Sequence, residues 1–353
     1  MKILLIKYRN IGDVLLCTPL IENLKLNYPN AQIDFALNDY CIDMITNNPN
    51  ISNIFPYHRS TLKNLSIFKR IKEELKYFKN IKSIKYDIAI NLTKGDRGSF
   101  LAMFSGAKIK IGYKSDNLLL KLFSPFTYSF NNETKHTVEK DLDALLLLNK
   151  KIFNKKVSIY YNLCDQKKID VFLTENNIKK FVHIHPVSRW MFKCWEDDRL
   201  AKIIDYITYN KKYSVILTAS DDIKEKNKIR KIISLCEHKP YDLSGQLTLK
   251  ELSYLSKKSS IFFGIDSAPM HIAAAVNTPI VALMGASRAD IWGPWCNEAQ
   301  KNYTQNEKIQ KIGKNSIITS TDNKIFYEKN IKKSKGMVKI KYQTVKELIN
   351  EKI

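Results

Sequence analysis

The sequence predicts an α/β protein built as two successive doubly wound domains. Three observations carry that expectation. Short apolar runs alternate with longer amphipathic stretches from residue 2 onward, the pattern of strand–helix units feeding a parallel sheet. The alternation lapses once, in a polar, lysine-rich and poorly periodic stretch between about 150 and 177, and then resumes. The length of 353 residues, 44% of them hydrophobic, exceeds one ordinary core and is enough for two.

In chain order the first half reads as strand 2–6, helix 13–27, strand 32–37, helix 62–79, strand 87–92, helix 97–104 and helix 137–148. The second half reads as strand 181–185, helix 198–210, strand 214–218, helix 221–236, helix 249–257, strand 260–265, helix 268–276 and strand 279–283. Residues 300–336 are Lys/Asn-rich with weak periodicity and read as a surface excursion, and 345–352 as a closing helix. The domain boundary is placed in the lapse, giving domains 1–160 and 161–353, with packing of the closing helix back on the first domain left open.

Of 58 basic residues 50 are lysine and eight arginine, and against 35 acidic residues they leave a net charge of +23. Such a surplus suits phosphate-rich or anionic partners. The crowding of Lys, Asn and Ile is also what AT-rich coding would produce. The charge is spread along the chain without a helix-turn-helix, finger or stacking platform, which argues against nucleic acid. Cys17, Cys41, Cys164, Cys194, Cys236 and Cys296 lie far apart, without metal-ligand spacing, and read as reduced thiols of a cytosolic protein. Lys7 and Arg9 cut the first apolar run too short for a signal-peptide core, and the most apolar long window, 261–285, contains Asp266 and His271 and is not a membrane span.

In open α/β sheets ligands bind beyond the carboxyl ends of the strands. Three such places carry chemistry. After the first strand, Arg9-Asn10-Ile11-Gly12-Asp13 brings a turn-permitting glycine and a carboxylate to a helix N-terminus. There Asp13 is a helix cap, a base, or both. After strand 181–185, Ser188, Arg189 and Lys193 offer a hydroxyl, a guanidinium and an ammonium between Trp190 and Trp195, which can hold a diphosphate. A solvated loop with aromatic anchors reads equally from the same residues. After strand 260–265, Asp266, Ser267, Ala268 and His271 open a helix whose free N–H groups suit an anion, or simply cap it. Neither a P-loop nor a G-x-G-x-x-G motif is present. The Asp141-Leu142-Asp143 pair has the spacing of a metal–nucleotide site, yet falls in an amphipathic helix and reads as a solvated face; no metal is expected.

Taken together and in order, these stretches resemble glycosyltransferase family 9, the lipopolysaccharide heptosyltransferases, and within it the heptosyltransferase III type. The resemblance is carried by Ile3 to Ile6 with Arg9 to Asp13 and Thr18-Pro19. It continues in His185-Pro186 through Trp190, Lys193 and Trp195, then Gly264 to His271, and ends with Trp292-Gly293-Pro294-Trp295. It implies a GT-B architecture, two Rossmann-like domains facing a cleft, with the acceptor on the N-terminal side and the nucleotide-sugar on the C-terminal side. It implies inverting transfer of L-glycero-D-manno-heptose from ADP-heptose to the inner core of lipopolysaccharide or lipooligosaccharide, without cofactor or metal.

In that scheme Asp13 is the general base, and Ser188, Arg189 and Lys193 bind the diphosphate. Asp266 holds heptose hydroxyls, and Ser267, Ala268 and His271 line the phosphate end of the helix. Gly12, Arg59, Lys94 and Arg97 are the candidate acceptor contacts on the first domain. The implied partners are the nucleotide-sugar donor, a lipid A-core acceptor and the cytoplasmic face of the inner membrane, touched peripherally. The sequence departs from the family pattern at Met284-Gly285-Ala286-Ser287 and in its Lys/Asn-rich tail. Two other readings stay open: a same-fold transferase with another nucleotide-sugar, and a non-catalytic binder of anionic glycolipid.

Overall fold

The computed structural model of the chain describes residues 1–113, 126–130, 134–305, 308–322, 324–328 and 330–353. It divides into two units, Met1–Lys155 and Lys156–Ile353, each with its own sheet.

The first unit contains strands β1 (Lys2–Ile6), β2 (Gln32–Asn38), β3 (Asn53–Tyr57), β4 (Ile88–Asn91), β5 (Ile109–Gly112) and β6 (Tyr128–Ser129). They pair in the order β3-β2-β1-β4-β5-β6, every pair parallel. This is the Rossmann order, which reverses beside β1 and opens a crevice at its carboxyl end. Ile3 to Ile6 are all buried, as an unbroken apolar strand covered on both faces requires.

The helices are α1 (Ile11–Leu16), α2 (Thr18–Asn27), α3 (Arg59–Lys63), α4 (Ile67–Ser83), α5 (Asp96–Phe104) and α6 (Thr137–Leu147). Two expected helices are each split. The expected 13–27 helix breaks at Cys17, with Pro19 in the first turn of α2, where its missing N–H is harmless. The expected 62–79 helix ends at Lys63 and restarts after Ser66. The buried Asn23 side chain pins the end of the unit. It donates to the Asn154 carbonyl at 2.7 Å and accepts from the Phe153 N–H at 2.6 Å.

The second unit holds β7 (Phe181–His185), β8 (Ser214–Leu217), β9 (Tyr241–Asp242), β10 (Ile261–Ile265), β11 (Ile280–Met284), β12 (Ile309–Ile312) and β13 (Asn315–Thr319). Their order is β12-β13-β11-β10-β7-β8-β9, parallel except where β12 meets β13. A separate hairpin, β14 (Ile325–Glu328) and β15 (Ile331–Ser334), follows. The helices are α7 (Leu163–Glu175), α8 (Asp197–Asp205), α9 (Ile223–Leu235), α10 (Leu249–Lys258), α11 (Ala268–Ala275) and α12 (Tyr342–Asn350).

The structure defines three places that the sequence left loosely drawn. The polar, poorly periodic stretch 150–177 contains α7. There Asn162 and Asp165 cap each other reciprocally, at 2.8 and 3.0 Å, and Ile169 and Leu173 are buried. Residues 300–336 are not only a surface excursion, because β13 is buried along its whole length and pairs with β11. The closing helix spends its apolar face within the second unit, where Val345, Leu348 and Ile349 join the core that includes Ile203, Leu283 and Trp195. The glycine at 285 also has a physical reason. A Cβ on Gly336 would overlap the Gly285 carbonyl oxygen, so two backbones meet where only glycines fit. Among the described residues no helix is long and apolar enough to cross a membrane.

Candidate functional site

At the carboxyl edge of the first unit's sheet, β1 runs into Lys7, Tyr8 and the turn to α1. Asn10 is the N-cap of α1, and the Asp13 carboxylate accepts its backbone N–H at 2.9 Å. Asp13 is therefore the third helical residue and not the cap itself, with its carboxylate at the positive end of the helix and half-exposed. Gly12 beside it is buried.

Beneath this turn lies an ion pair that sequence reasoning missed. Lys7 and Asp141 are both buried and are bonded to each other. Asp141 sits in α6 on the inward face, so the solvated-face reading of Asp141-Leu142-Asp143 is wrong for its first member. Asp143 instead meets Lys135 at 3.1 Å. Burial pushes the Asp141 carboxyl up to about 6 against the pull of Lys7, and the charge of Asp13 adds to the rise. Burial also works against the Lys7 ammonium, but the charges of Asp141, Cys17 and Asp13 outweigh it and hold Lys7 above its ordinary value. At neutral pH the pair is charged on both sides. No apolar periodicity announces such a pair; its only signal was a lysine directly after a buried strand.

Three cations gather on aromatic faces at the same edge. The Arg97 guanidinium lies 4.5 Å from the Tyr57 ring centre, and Lys94 and Lys140 lie 5.4 and 5.3 Å from that of Tyr113. Burial and then the neighbouring charge of Lys94 lower the Lys140 ammonium from its usual value. Lys140 is thus a further cation of this edge that the sequence reading did not single out. Arg59 stands exposed on the first turn of α3.

In the second unit the chain leaves β7 through His185 and forms the loop 186–196. His185 and His183 are core histidines, both bonded to the Thr218 hydroxyl oxygen; burial drives His185 down to about 3, so it stays neutral. The Ser188 Oγ accepts the Trp190 N–H at 3.2 Å, and the Arg189 guanidinium lies 5.3 Å from the exposed Trp190 ring. Trp195 is the buried anchor, donating its indole N–H to the Ile340 carbonyl at 3.1 Å.

One turn at 191–193 then delivers Lys193, whose Nζ donates to Asp266 Oδ2 at 2.5 Å. Asp266 follows β10 directly, and its other oxygen lies 3.9 Å from His271 Nε2. Just before Asp266, Gly264 lies close against β7, where a Cβ would come within 2.7 Å of the His185 carbonyl oxygen. Ser267 is the N-cap of α11, its hydroxyl turned back to the Ile265 carbonyl at 3.3 Å, and Ala268 is half-buried on the first turn. The structure therefore brings Lys193, Asp266 and His271 together at the N-terminus of α11, a place that favours anions. The tail reaches this loop as well: Lys332 of β15 lies 5.0 Å from the Phe192 ring centre. Among the described residues no group of three or more His, Cys, Asp or Glu is placed to hold a metal ion.

Comparison with known proteins identifies the fold and the family. The structure superposes on the glycosyltransferase family 9 protein of Veillonella parvula DSM 2008 with a TM-score of 0.81 at 21% identity, covering 99% of this chain and 96% of that one. On the ADP-heptose LPS heptosyltransferase II of E. coli the TM-score is 0.74 at 17% identity, covering 99% and 98%. These likenesses establish the fold as the GT-B type, with two Rossmann-like units. In sequence, the lipopolysaccharide heptosyltransferase 3 of Escherichia coli K12 is 34% identical over 290 residues, 80% of this chain and 82% of that protein. Residues 74–321 match the model of the family described as glycosyltransferase family 9 (heptosyltransferase). With the match extending over most of the chain and both units folded as the resemblance implied, the protein belongs to glycosyltransferase family 9 and is a transferase enzyme.

Proposed function

We propose that this chain is an inverting heptosyltransferase that moves L-glycero-D-manno-heptose from ADP-heptose to the inner core of lipopolysaccharide or lipooligosaccharide. The observation that carries the reading is the Lys193–Asp266 pair at the N-terminus of α11. A diphosphate seated on the free N–H groups of that helix finds an ammonium beside it, and a carboxylate stands ready for sugar hydroxyls. The donor class is supported by the names of relatives, the lipopolysaccharide heptosyltransferase 3 of Escherichia coli K12 for the heptose and the ADP-heptose LPS heptosyltransferase II of E. coli for the nucleotide.

The acceptor hydroxyl gives its proton to Asp13 as its oxygen bonds to the anomeric carbon, and the bond from that carbon to the ADP oxygen breaks on the opposite face. Lys193 neutralises the charge that grows on the departing ADP, with Ser188 and Arg189 as further diphosphate contacts; no metal is needed for this. Asp266 accepts from heptose hydroxyls, and Ser267, Ala268 and His271 line the phosphate end. Arg97, Lys94 and Lys140 suit an acidic or phosphorylated acceptor, with Gly12 and Arg59 at the margin. The acceptor is lipid-linked, so the enzyme works in peripheral contact with the anionic cytoplasmic face of the inner membrane.

Calorimetric titration of ADP-heptose, UDP-sugars and GDP-sugars into the wild type and Lys193→Ala, without added metal, tests this. ADP-heptose alone binds, and the variant binds it about ten- to a hundredfold more weakly, as expected for the loss of a charged hydrogen bond. Equal binding of another nucleotide-sugar, or indifference to Lys193, would discard the donor assignment.

A further inference from the structure

Helix α4 is 17 residues long and buries one of them, Ile81. Its carboxyl-terminal half is tied down, with Ile81 in the first unit's core and Tyr77, Phe78 and Ile84 packed against it. Its amino-terminal half stands clear. Ile67, Phe68, Ile71 and Leu75 are 74%, 87%, 50% and 62% exposed, which makes them the largest cluster of exposed apolar side chains on any helix described. Their spacing puts all four on one face, within an arc of about 100° at 3.6 residues per turn. Scattered exposed apolar residues are ordinary; four on one helical face mark a contact surface.

The charges around that face indicate what it contacts. Lys69, Lys72, Lys76 and Lys79 follow the adjoining strip of the helix. Of the two acids, Glu74 is engaged by Tyr57 at 2.7 Å and by Arg70 at 3.3 Å. Lys69, Lys72 and Lys76 also line a cavity of about 540 Å³ with His58, Leu65 and Tyr77. The core of a protein interface is poor in lysine. A helix with bulky apolar residues on one face and lysines beside it is instead the design that lies in a bilayer interface, its apolar side in the acyl boundary and its cations among anionic headgroups.

We propose that the amino-terminal half of α4 docks the protein on an anionic phospholipid surface, seating Ile67, Phe68, Ile71 and Leu75 in the acyl boundary and Lys69, Lys72, Lys76 and Lys79 on the headgroups. This gives a location to the membrane contact of the functional reading and rests on that reading only for its purpose.

Vesicle co-sedimentation with the full chain tests it. The wild type sediments with vesicles of phosphatidylglycerol and phosphatidylcholine in equal parts, stays in solution with phosphatidylcholine alone, and is released by salt. The double variants Phe68→Glu/Ile71→Glu and Lys72→Glu/Lys79→Glu each weaken that binding about tenfold or more, with circular dichroism and Tm unchanged because these side chains are exposed. Wild-type binding by the folded variants would overturn the proposal, as would indifference of the wild type to anionic vesicles. So would a dimer in sedimentation equilibrium that Phe68→Glu/Ile71→Glu dissociates while leaving vesicle binding intact. ADP titration of the same samples keeps the two readings apart: a wild type that ignores ADP but binds vesicles loses the ADP-heptose donor assignment and keeps the docking surface.

Discussion

Lys7 and Asp141 form a buried ion pair across 134 positions of sequence, joining the end of β1 to α6 beneath the helix that carries Asp13. Removing Lys7 strands the Asp141 carboxylate in the core. Lys7→Met is therefore expected to cost about 3–5 kcal/mol at neutral pH, whereas the double change Lys7→Met/Asp141→Leu recovers most of that stability. Urea unfolding of the wild type, the single variant and the double variant measures this directly. The double variant also separates stability from chemistry. If the pair's field and packing set the position of Asp13, kcat falls in a variant whose fold is sound, with little change in KM.

The same pair sets a pH dependence. Asp141 is held at about 6, above its ordinary 3.8, so between these values the native state keeps a proton that the unfolded chain releases. Stability attributable to this group is present in full below about 4 and is lost as pH rises through about 6. The difference in unfolding free energy between the wild type and Lys7→Met/Asp141→Leu should fall across that interval by on the order of 3 kcal/mol. A flat difference would mean that Asp141 titrates normally in the native state.

Asp13 has a structural role and, in the proposed mechanism, a chemical one, and substitution can divide them. Its carboxylate accepts the Asn10 N–H, which is a capping role, and in the proposed reaction it takes the proton of the acceptor hydroxyl. Asp13→Asn keeps an acceptor for the Asn10 N–H but is no base. It should lose less than about 1 kcal/mol of stability and about 10²- to 10⁴-fold in kcat. A thermal melt paired with a transfer assay checks both halves, and near-normal turnover in the folded variant would remove Asp13 from the mechanism.

Much of this arrangement was legible in the sequence, for a physical reason. β1, β7 and β10 are central parallel strands, buried almost throughout, so they read as short dense runs with sharp ends even where His183 and His185 interrupt β7, and Asp13, Lys193 and Asp266 could be placed by the strand each one follows. The strands β3, β5, β6 and β9, all but β5 at a sheet edge, were missed because they are partly exposed and lack a clear apolar run. Helix α7 was missed although Asn162 and Asp165 spell out its cap, because lysines crowd its exposed face and only Ile169 and Leu173 point inward. Asp141 was misread because burial of a charge depends on a partner far away in sequence, which local pattern does not contain. β13 hid in the same way: Asn315, Ser316 and Thr319 are polar yet buried, and Asn315 reaches the Pro294 carbonyl at 3.3 Å.

The tail that the sequence left unassigned supplies the last prediction. Gly336 backs directly onto Gly285 at the end of β11, and Ser334 Oγ donates to the Gly285 carbonyl at 3.2 Å. A methyl group at 336 would run into the Gly285 carbonyl and crowd the Ser320 Cβ, so the segment after β15 must shift or the end of β11 must move. Gly336→Ala should therefore destabilise the second unit by about 1–3 kcal/mol, the usual cost of overpacking. The effect should also reach the donor loop, because β15 packs on the turn that carries Lys193, with Lys332 against Phe192. ADP affinity measured well below the variant's Tm distinguishes the two consequences. Weakened binding in a folded Gly336→Ala places the tail among the supports of Lys193; unchanged binding confines the glycine pair to stability.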